Sequence, residues 1–256
     1  IHLYDLLEIQ KIREPEIQIV SNLSFLPVNE NNLVYKAARL LQEEFALTDG
    51  ISVKLTKRIP VAAGMAGGST DAAAMLYAMN QLYDLGLSRR ELMKRGVQIG
   101  ADVPYCLMRG TALAEGIGEK LTQLPPMIKC PVLIAKPSIS VSTKFVYQNL
   151  KLDEQTNHPD IDALMKDIRE KDFDGVCAHM GNVLESVTIP NYPVIAEIKQ
   201  QMMRSGAKAS MMSGSGPTVF GLFEDGETAK RALREMKRSG LAKQVYLTTI
   251  YNNRRK

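Results

Sequence analysis

Residues 60–71, PVAAGMAGGSTD, limit the possible folds of this chain more than any other stretch. Small side chains predominate there, at the junction between a predicted strand and a predicted helix. The preceding KLTKRI alternates as a strand does, and the following AAAMLYAMNQLYDL has the period of a helix. A turn with so few side-chain atoms lets backbone N–H groups and the helix dipole face an anion directly. The stretch therefore predicts a phosphate-binding loop, with Pro60 stiffening its start. The alternative is a tight junction in which Ser69 or Thr70 only caps the helix.

Two common phosphate loops are excluded by their spacing. The Walker A motif needs a Lys that this stretch lacks, and GMAGGS does not have the G-x-G-x-x-G spacing of a dinucleotide-binding turn. The sequence therefore predicts a phosphate site of another kind.

Composition narrows the class of protein without identifying it. The chain has 256 residues, which is about two domains at ~150 residues each. Its apolar segments are all shorter than the ~20 residues of a membrane span. The net charge is +4, and apart from the C-terminal run NNRRK the basic residues are spread along the chain, so we expect neither a membrane nor a nucleic acid as partner.

Two further expectations concern the compartment and the N-terminus. The odd number of cysteines, without metal-ligand spacing, predicts that Cys106, Cys130 and Cys177 are reduced, buried thiols of a cytoplasmic protein. The chain opens with IHLYDLLEI, without an initiator Met and already in strand-like alternation, so we expect the natural N-terminus to lie upstream.

Periodicity predicts an α+β fold whose strands are too interrupted for a regular doubly wound sheet. In the first half we expect strands at 16–20 and 51–59 and a hairpin within 110–124. A helix follows Asn31 or Asn32 as its cap, and a second helix begins with a capping box of Ser88 and Glu91 and ends at Gly100. The buried face of the first helix is predicted to carry Leu33, Ala37, Leu40, Leu41 and Phe45.

The second half is predicted to start after a domain boundary near 125–127, which gives domains at 1–126 and 127–256. We expect a buried strand within 130–142 and helices around 160–170 and 193–204. A strand, Gly-rich turn and strand follow at 209–225, then a helix at 227–240 and a last strand at 244–250.

The stretch PVAAGMAGGSTDAAA resembles the ATP-phosphate loop of the GHMP kinases, the superfamily of galactokinase, homoserine kinase, mevalonate kinase and phosphomevalonate kinase. Three further segments match in order, NENNLVYKAARLL, GADVPYCL and MSGSGPTVFGLF, so the resemblance covers nearly the whole chain. The loop and GADVP are its specific parts. Ala66 replaces one glycine of the usual loop. The match is best to the branch that phosphorylates a cytidine diphosphate-linked methylerythritol in non-mevalonate isoprenoid biosynthesis.

The resemblance implies a two-domain α/β sandwich with the active-site cleft between the domains, and ATP and Mg²⁺ as cofactors. It places a catalytic Lys and part of the cytidine site on a strand upstream of residue 1. It also implies a nucleotide site formed by the following residues: Pro60, Val61, Ala62, Ala63, Gly64, Met65, Ala66, Gly67, Gly68, Ser69, Thr70, Asp71, Lys57 and Asn32. Simpler interpretations are a solvated strand Lys for Lys57 and helix caps for Asn32 and Asp71.

Asp102 is the predicted catalytic residue. It lies between the helix-ending Gly100 and Pro104, in a rigid turn, and a kinase that acts on a hydroxyl needs a carboxylate to orient it and accept its proton. From the residues alone, a helix cap is equally consistent with the pattern. The match at GADVP favours catalysis, and the resemblance pairs Asp102 with the upstream Lys.

The resemblance also implies substrate-binding residues in the second half. Tyr147 matches an aromatic residue that stacks on the cytosine ring, although a core Tyr is the usual alternative. Gly214, Ser215 and Gly216 would close over the substrate or simply form a hairpin turn. The three histidines, His2, His158 and His179, are predicted to have no role.

Three other functions compete with this prediction. The chain could be a GHMP kinase for another small alcohol, such as homoserine or mevalonate. It could be a non-catalytic protein of the same fold, although its loop and Asp102 are both intact. A weak nucleic-acid binder is the third, and the scattered charge argues against it.

Overall fold

The computed structural model describes residues 1–152 and 158–252, and most of the basic C-terminal run lies outside them. The strands are β1 (Leu6–Ile12), β2 (Ile17–Ser21), β3 (Gly50–Thr56), β4 (Ala112–Glu115), β5 (Lys120–Gln123), β6 (Pro131–Lys136), β7 (Ala209–Met212), β8 (Val219–Leu222) and β9 (Gln244–Thr249). The helices are α1 (Leu33–Glu44), α2 (Gly67–Leu82), α3 (Arg89–Ile99), α4 (Val103–Met108), α5 (Thr143–Asn149), α6 (Ile161–Glu170), α7 (Phe173–His179), α8 (Glu185–Asn191), α9 (Val194–Arg204) and α10 (Gly226–Ser239).

The chain divides into two compact units. The N-terminal unit contains Leu3–Val61 and Ala66–Gln123, and the C-terminal unit contains Ile1–His2, Ala62–Met65 and Leu124–Lys256. Each unit combines helices with antiparallel or mixed strands, so the predicted α+β class is confirmed. The exact domain ranges 1–126 and 127–256 stay a prediction.

The N-terminal unit has a three-stranded sheet in the order β1-β3-β2. The central β3 is antiparallel to β1 and parallel to β2, and Val53 lies opposite Ile9 and Ile19. Ile51, Val53 and Leu55 alternate with more exposed residues and are buried in the core, as the period of two predicts. Helices α1 and α2 supply most of the remaining core: Val34, Ala37, Ala38, Leu41, Ala72, Met75, Leu76 and Met79.

The start of α1 and both ends of α3 follow the predicted signals. Asn32 caps α1 by accepting from the N–H of Val34 at 2.9 Å, and Ser88 and Glu91 form the predicted capping box of α3. Helix α3 ends at Gly100, and the predicted hairpin consists of β4 and β5.

Two details of the N-terminal unit differ from the prediction. The buried face of α1 is centred on Val34, Ala37, Ala38 and Leu41, whereas the predicted Leu33, Leu40 and Phe45 are only partly buried. The predicted strand 51–59 ends at Thr56 because the backbone of Lys57 leaves the ladder. Its N–H donates to Oδ1 of Asn22, and its carbonyl accepts from Nδ2 of the same residue.

The C-terminal unit has a four-stranded antiparallel sheet in the order β7-β8-β6-β9. Helix α9 packs on β7 and β8, and α10 packs on β6 and β9. The predicted strands and long helices of this half are confirmed. The short helices α5, α7 and α8 were not predicted, since seven residues make too few turns for a periodic signal.

We expect Gly50→Ala to lower the free energy of unfolding by about 3 kcal/mol or more. A Cβ there would lie 1.8 Å from the carbonyl oxygen of Glu14 and 2.4 Å from that of Glu16, both in the bend between β1 and β2. The Glu16 carbonyl also accepts from the N–H of Ile51, so it cannot move away without loss of that bond. Gly226→Ala is the matched control, because a Cβ at Gly226 would meet no atom within 4 Å. Denaturant unfolding measures both, and equal stability of the two variants would contradict the packing described here.

Candidate active site

The small-residue loop, residues 60–66, connects β3 to α2 through left-handed backbone conformations. Ala62 has φ 49°, Gly64 has φ 68°, and Ala66, the N-cap residue of α2, has φ 51°. An alanine side chain cannot accept a hydrogen bond, so no capping side chain at Ala66 covers the first N–H groups of α2. This end of the helix has the form of an anion site.

Ser69 and Thr70 do not cap α2, so that interpretation of the junction is wrong. Both lie inside the helix, and the N–H of Thr70 already bonds to the carbonyl of Ala66 at 2.9 Å. The Thr70 hydroxyl donates to the same carbonyl at 3.0 Å. Asp71 is also interior to the helix and is buried, which excludes its simpler interpretation as a cap.

The loop is anchored within the C-terminal unit at Gly64. Its carbonyl accepts from the Ser213 hydroxyl at 2.7 Å, and a Cβ at Gly64 would lie 2.2 Å from the carbonyl oxygen of Ser213. The β7–β8 turn is held in place by Asn182, whose Nδ2 donates to the carbonyls of Met212 and Gly214. Only a residue without a side chain fits this approach of loop and turn.

A buried ion cluster lies at the start of α2, in the N-terminal unit. The ammonium of Lys57 pairs with Asp5 and with Oδ2 of Asp71, the latter at 2.7 Å. The side chains of Asp5, Lys57 and Asp71 are 1%, 3% and 4% exposed. The interpretation of Lys57 as a solvated strand residue is therefore wrong.

Asp5 was missed in the sequence, because an acid at the start of an alternating strand resembles an ordinary surface residue. Its Oδ1 accepts from the N–H groups of Arg58 and Ile59, the latter at 2.9 Å. Asp5 therefore fixes the chain just before the small-residue loop.

The pKa of Asp71 is raised to about 7. Burial is the main cause; the ion pair with Lys57 lowers the pKa, and the negative charge of Asp5 raises it. Oδ1 of Asp71 is buried and has no hydrogen-bond partner. At neutral pH this carboxyl group is therefore close to the midpoint of its titration.

Asp102 occupies the N-cap position of α4 but makes no capping hydrogen bond with its side chain. The residue is exposed, and Pro104 in the first turn of the helix fixes the turn. Capping does not explain the carboxylate, which leaves it available for chemistry.

The turn that carries Asp102 lies beside the start of α2, within the N-terminal unit. Helix α4 packs against α2, and Oγ1 of Thr70 lies 3.4 Å from Sγ of Cys106. A Cβ at Gly100 would lie 3.9 Å from Oγ of Ser69. Within the N-terminal unit, the structure thus places the turn of the predicted catalytic carboxylate beside the first turn of α2.

The other predicted residues have separate places. Asn32 is engaged as the cap of α1, and its Nδ2 also donates to the carbonyl of Pro27. Tyr147, on α5 of the C-terminal unit, is 61% exposed, so it is not a core residue. Ser215, in the β7–β8 turn with Gly214 and Gly216, has its hydroxyl 2.9 Å from that of Thr143 at the start of α5.

One cysteine, Cys106, contacts Thr70 in this arrangement. All three cysteines are free; Cys130 is buried as predicted, whereas Cys106 and Cys177 are only partly buried. Burial raises the pKa of the Cys106 thiol to about 11, so it is protonated at neutral pH. His179 pairs with Asp167 at 2.6 Å.

The part of the chain that the structure describes contains no group of three His, Cys, Asp or Glu placed to hold a metal ion. None of the helices in residues 1–152 and 158–252 is both long and apolar enough to cross a membrane.

Comparison with known proteins matches both halves of the chain. Residues 32–110 match the family described as "GHMP kinases N terminal domain", and residues 164–242 match "GHMP kinases C terminal". The chain belongs to the GHMP kinases. The first match includes Lys57, the small-residue loop and Asp102, and the second includes the β7–β8 turn.

The similarity of this GHMP kinase to individual relatives covers nearly its whole length. It is 57% identical to the 4-diphosphocytidyl-2-C-methyl-D-erythritol kinase of Lachnospira eligens, over 97% of this chain and 86% of that protein. A solved 4-(cytidine 5'-diphospho)-2C-methyl-D-erythritol kinase is similar with a TM-score of 0.82 and 28% identity, over 97% of this chain and 87% of that one. Homoserine kinase from Cytophaga hutchinsonii has the same TM-score at 21% identity, over 97% and 86%, which shows the shared fold.

We expect Ala66→Gly in this GHMP kinase to leave the free energy of unfolding unchanged or to raise it by about 0.5–1 kcal/mol. Alanine is disfavoured in the left-handed region by ~1–2 kcal/mol, which outweighs the greater freedom of glycine in the unfolded chain. The matched control is Ala74→Gly in the interior of α2, which should lose about 1 kcal/mol. Equal losses in both variants, measured by denaturant unfolding, would show that the conformation of Ala66 is not strained.

Proposed function

We propose that this GHMP kinase transfers the γ-phosphoryl group of ATP to the 2-hydroxyl of 4-diphosphocytidyl-2-C-methyl-D-erythritol. One observation carries the chemistry: an uncapped helix start, bare of large side chains, lies beside an exposed carboxylate that caps nothing. The named function of the relatives, one of which is 57% identical, carries the choice of substrate. The reaction is a step in isoprenoid precursor biosynthesis, and we place the protein in the cytoplasm.

In this proposal the nucleotide phosphates bind at the small-residue loop and the first turn of α2. Backbone N–H groups of this uncapped helix start donate to the phosphate oxygens. The polar atoms of Lys57 and Asn32 already have partners within the protein. These two residues therefore hold the shape of the nucleotide site and do not contact the phosphates directly. Mg²⁺ would travel with the phosphates and neutralise part of their charge during transfer.

Asp102 acts on the acceptor. Its carboxylate orients the 2-hydroxyl and accepts the hydroxyl proton as the oxygen attacks the phosphorus. Its position next to the start of α2, through the contacts of Thr70 and Gly100, is consistent with this role.

The cytidine end of the substrate is assigned to the C-terminal unit. The exposed ring of Tyr147 would stack on the cytosine, and the turn with Gly214, Ser215 and Gly216 would lie over the substrate. The bond between Ser215 and Thr143 connects that turn to the helix of Tyr147.

Phosphorylation of another alcohol, such as homoserine, is the second candidate. The fold favours neither substrate, since the two solved structures have equal TM-scores. The sequence identity of the relatives favours the cytidine compound.

We expect Asp102→Asn to reduce turnover by ~10²–10⁴-fold, because the amide cannot accept the hydroxyl proton. Nucleotide affinity and the KM of the alcohol should change much less, since the interaction is made in the transition state. Asp84→Asn, an exposed acid in the turn after α2, is the control and should keep full turnover. Gly67→Val should instead lose nucleotide binding, because its side chain would press on Ile59 and Lys57 and displace the first turn of α2. Near-normal turnover in Asp102→Asn would remove Asp102 from the mechanism.

We expect Tyr147→Ala to weaken binding of the cytidyl substrate by ~1–3 kcal/mol, the size of one lost base–aromatic stack. Nucleotide affinity should stay unchanged. Tyr147→Phe keeps the ring and serves as the matched control, with nearly normal substrate affinity. Calorimetric titration with each ligand measures both affinities, and equal losses for the two ligands would contradict a stacking role.

A further inference from the structure

The ion cluster of Asp5, Lys57 and Asp71 has an excess of negative charge where the proposed function needs the opposite. It contains two carboxyl groups and one ammonium, all nearly inaccessible to water. A Cβ at Gly67 would lie 3.2 Å from Nζ of Lys57, so the cluster lies against the first turn of α2. With both acids ionised, its net charge would be −1 beside a site for phosphates.

The cluster also controls the path of the backbone into the loop. Oδ1 of Asp5 accepts from the N–H groups of Arg58 and Ile59, and Asn22 holds both the N–H and the carbonyl of Lys57. The carboxyl group of Asp5 therefore joins the end of β3 to the ammonium that touches α2. A change of charge in the cluster acts directly on the start of the helix.

We propose that Asp5, Lys57 and Asp71 are positioning residues for the nucleotide phosphates, and that the cluster takes up one proton from solvent when the phosphates bind. This rests on the proposed function. The proton forms an O–H bond on Oδ1 of Asp71, the oxygen that has no partner, and the cluster becomes neutral. The neutral cluster keeps the ion pair of Lys57 with Asp5 and no longer opposes the incoming phosphates.

The surroundings of Asp71 support a proton at this position. Among the described residues, the titratable groups that act on it are Lys57 after β3, Asp5 before β1 and Cys106 of α4. The thiol of Cys106 is neutral at physiological pH because burial and Asp102 raise its pKa. The pKa of Asp71, about 7, makes the carboxyl half-protonated near neutral pH.

The direction of the pH effect follows from linkage. Bound phosphate favours the protonated acid, so it raises the pKa of Asp71 further. Below about pH 7 the free protein already holds the proton and nucleotide affinity is flat; above it, affinity falls as the pH rises. If the bound phosphates raise the pKa by about one unit, the total loss of affinity is about tenfold.

Calorimetric titration of the full-length protein with MgADP tests the proposal. Titration at about pH 7.5 in two buffers of different ionisation enthalpy counts the protons taken up, and we expect about half a proton per nucleotide. Asp71→Asn should take up none. Asp5→Asn keeps the size of the side chain and one acceptor oxygen but removes the negative charge that raises the pKa of Asp71, so it should move the maximum of proton uptake to lower pH.

Glu8→Gln is the matched control. Glu8 pairs with Lys54 at 2.8 Å across the same two strands, β1 and β3, but both side chains are more than half exposed. This variant should keep the proton uptake of the wild type. If the cluster served only stability, the pH of maximum proton uptake would be the same in Asp5→Asn as in the wild type.

Each result decides between the two proposals. If MgADP binds the wild type with no proton uptake at any pH between about 6 and 8.5, the cluster proposal is wrong and the proposed function stands. If neither MgADP nor MgATP binds, the proposed function fails. Since the wild-type count needs no variant, a variant that does not fold leaves the test intact.

Discussion

The ammonium of Lys57 holds together three segments that are distant in sequence. Lys57 follows β3, and its ammonium pairs with Asp5 before β1 and with Asp71 in the first turns of α2. Removing one partner of a buried ion pair typically costs about 3–5 kcal/mol, because a charge is left without compensation. Here the loss of Lys57 would leave two carboxyl groups buried together at the point where the chain turns from strand to helix. The position of α2 therefore depends on this contact.

The small size of most side chains at residues 60–68 has several physical causes. Gly64 is small because the carbonyl of Ser213 lies against it, and Gly67 is small because Ile59 and Lys57 lie beneath it. Ala66 leaves the first turn of α2 without a capping side chain. Packing against neighbouring protein atoms thus explains Gly64 and Gly67. The uncapped N–H groups of α2 are what the turn offers to an anion. The carboxylate that we propose to be catalytic, that of Asp102, is supplied separately, by the turn before α4.

The elements with long periodic patterns could be predicted from the sequence, as could the cap of α1 at Asn32 and the capping box at Ser88 and Glu91. The end of β3 could not, because it depends on Asn22, a residue 35 positions away. The same limit applied to the ion cluster. Asp5, Lys57 and Asp71 are individually ordinary, and only the pairing of β1 with β3 and the packing of α2 bring them together. The loop and Asp102 could be proposed as site residues because their motifs are local; the burial of Lys57 is a property of the tertiary fold.

The claim that this GHMP kinase phosphorylates the cytidine compound is tested most directly by comparing acceptors. The measurement is kcat/KM of the full-length protein with ATP for 4-diphosphocytidyl-2-C-methyl-D-erythritol, homoserine and mevalonate, with phosphorus NMR of the product to locate the new phosphate. The account predicts that the cytidine compound is preferred by at least ~10³-fold, since a site with a base-stacking ring and fixed polar groups rejects acceptors that leave them unfilled, and that the phosphate is on the 2-hydroxyl. Equal or greater activity on homoserine or mevalonate would contradict it.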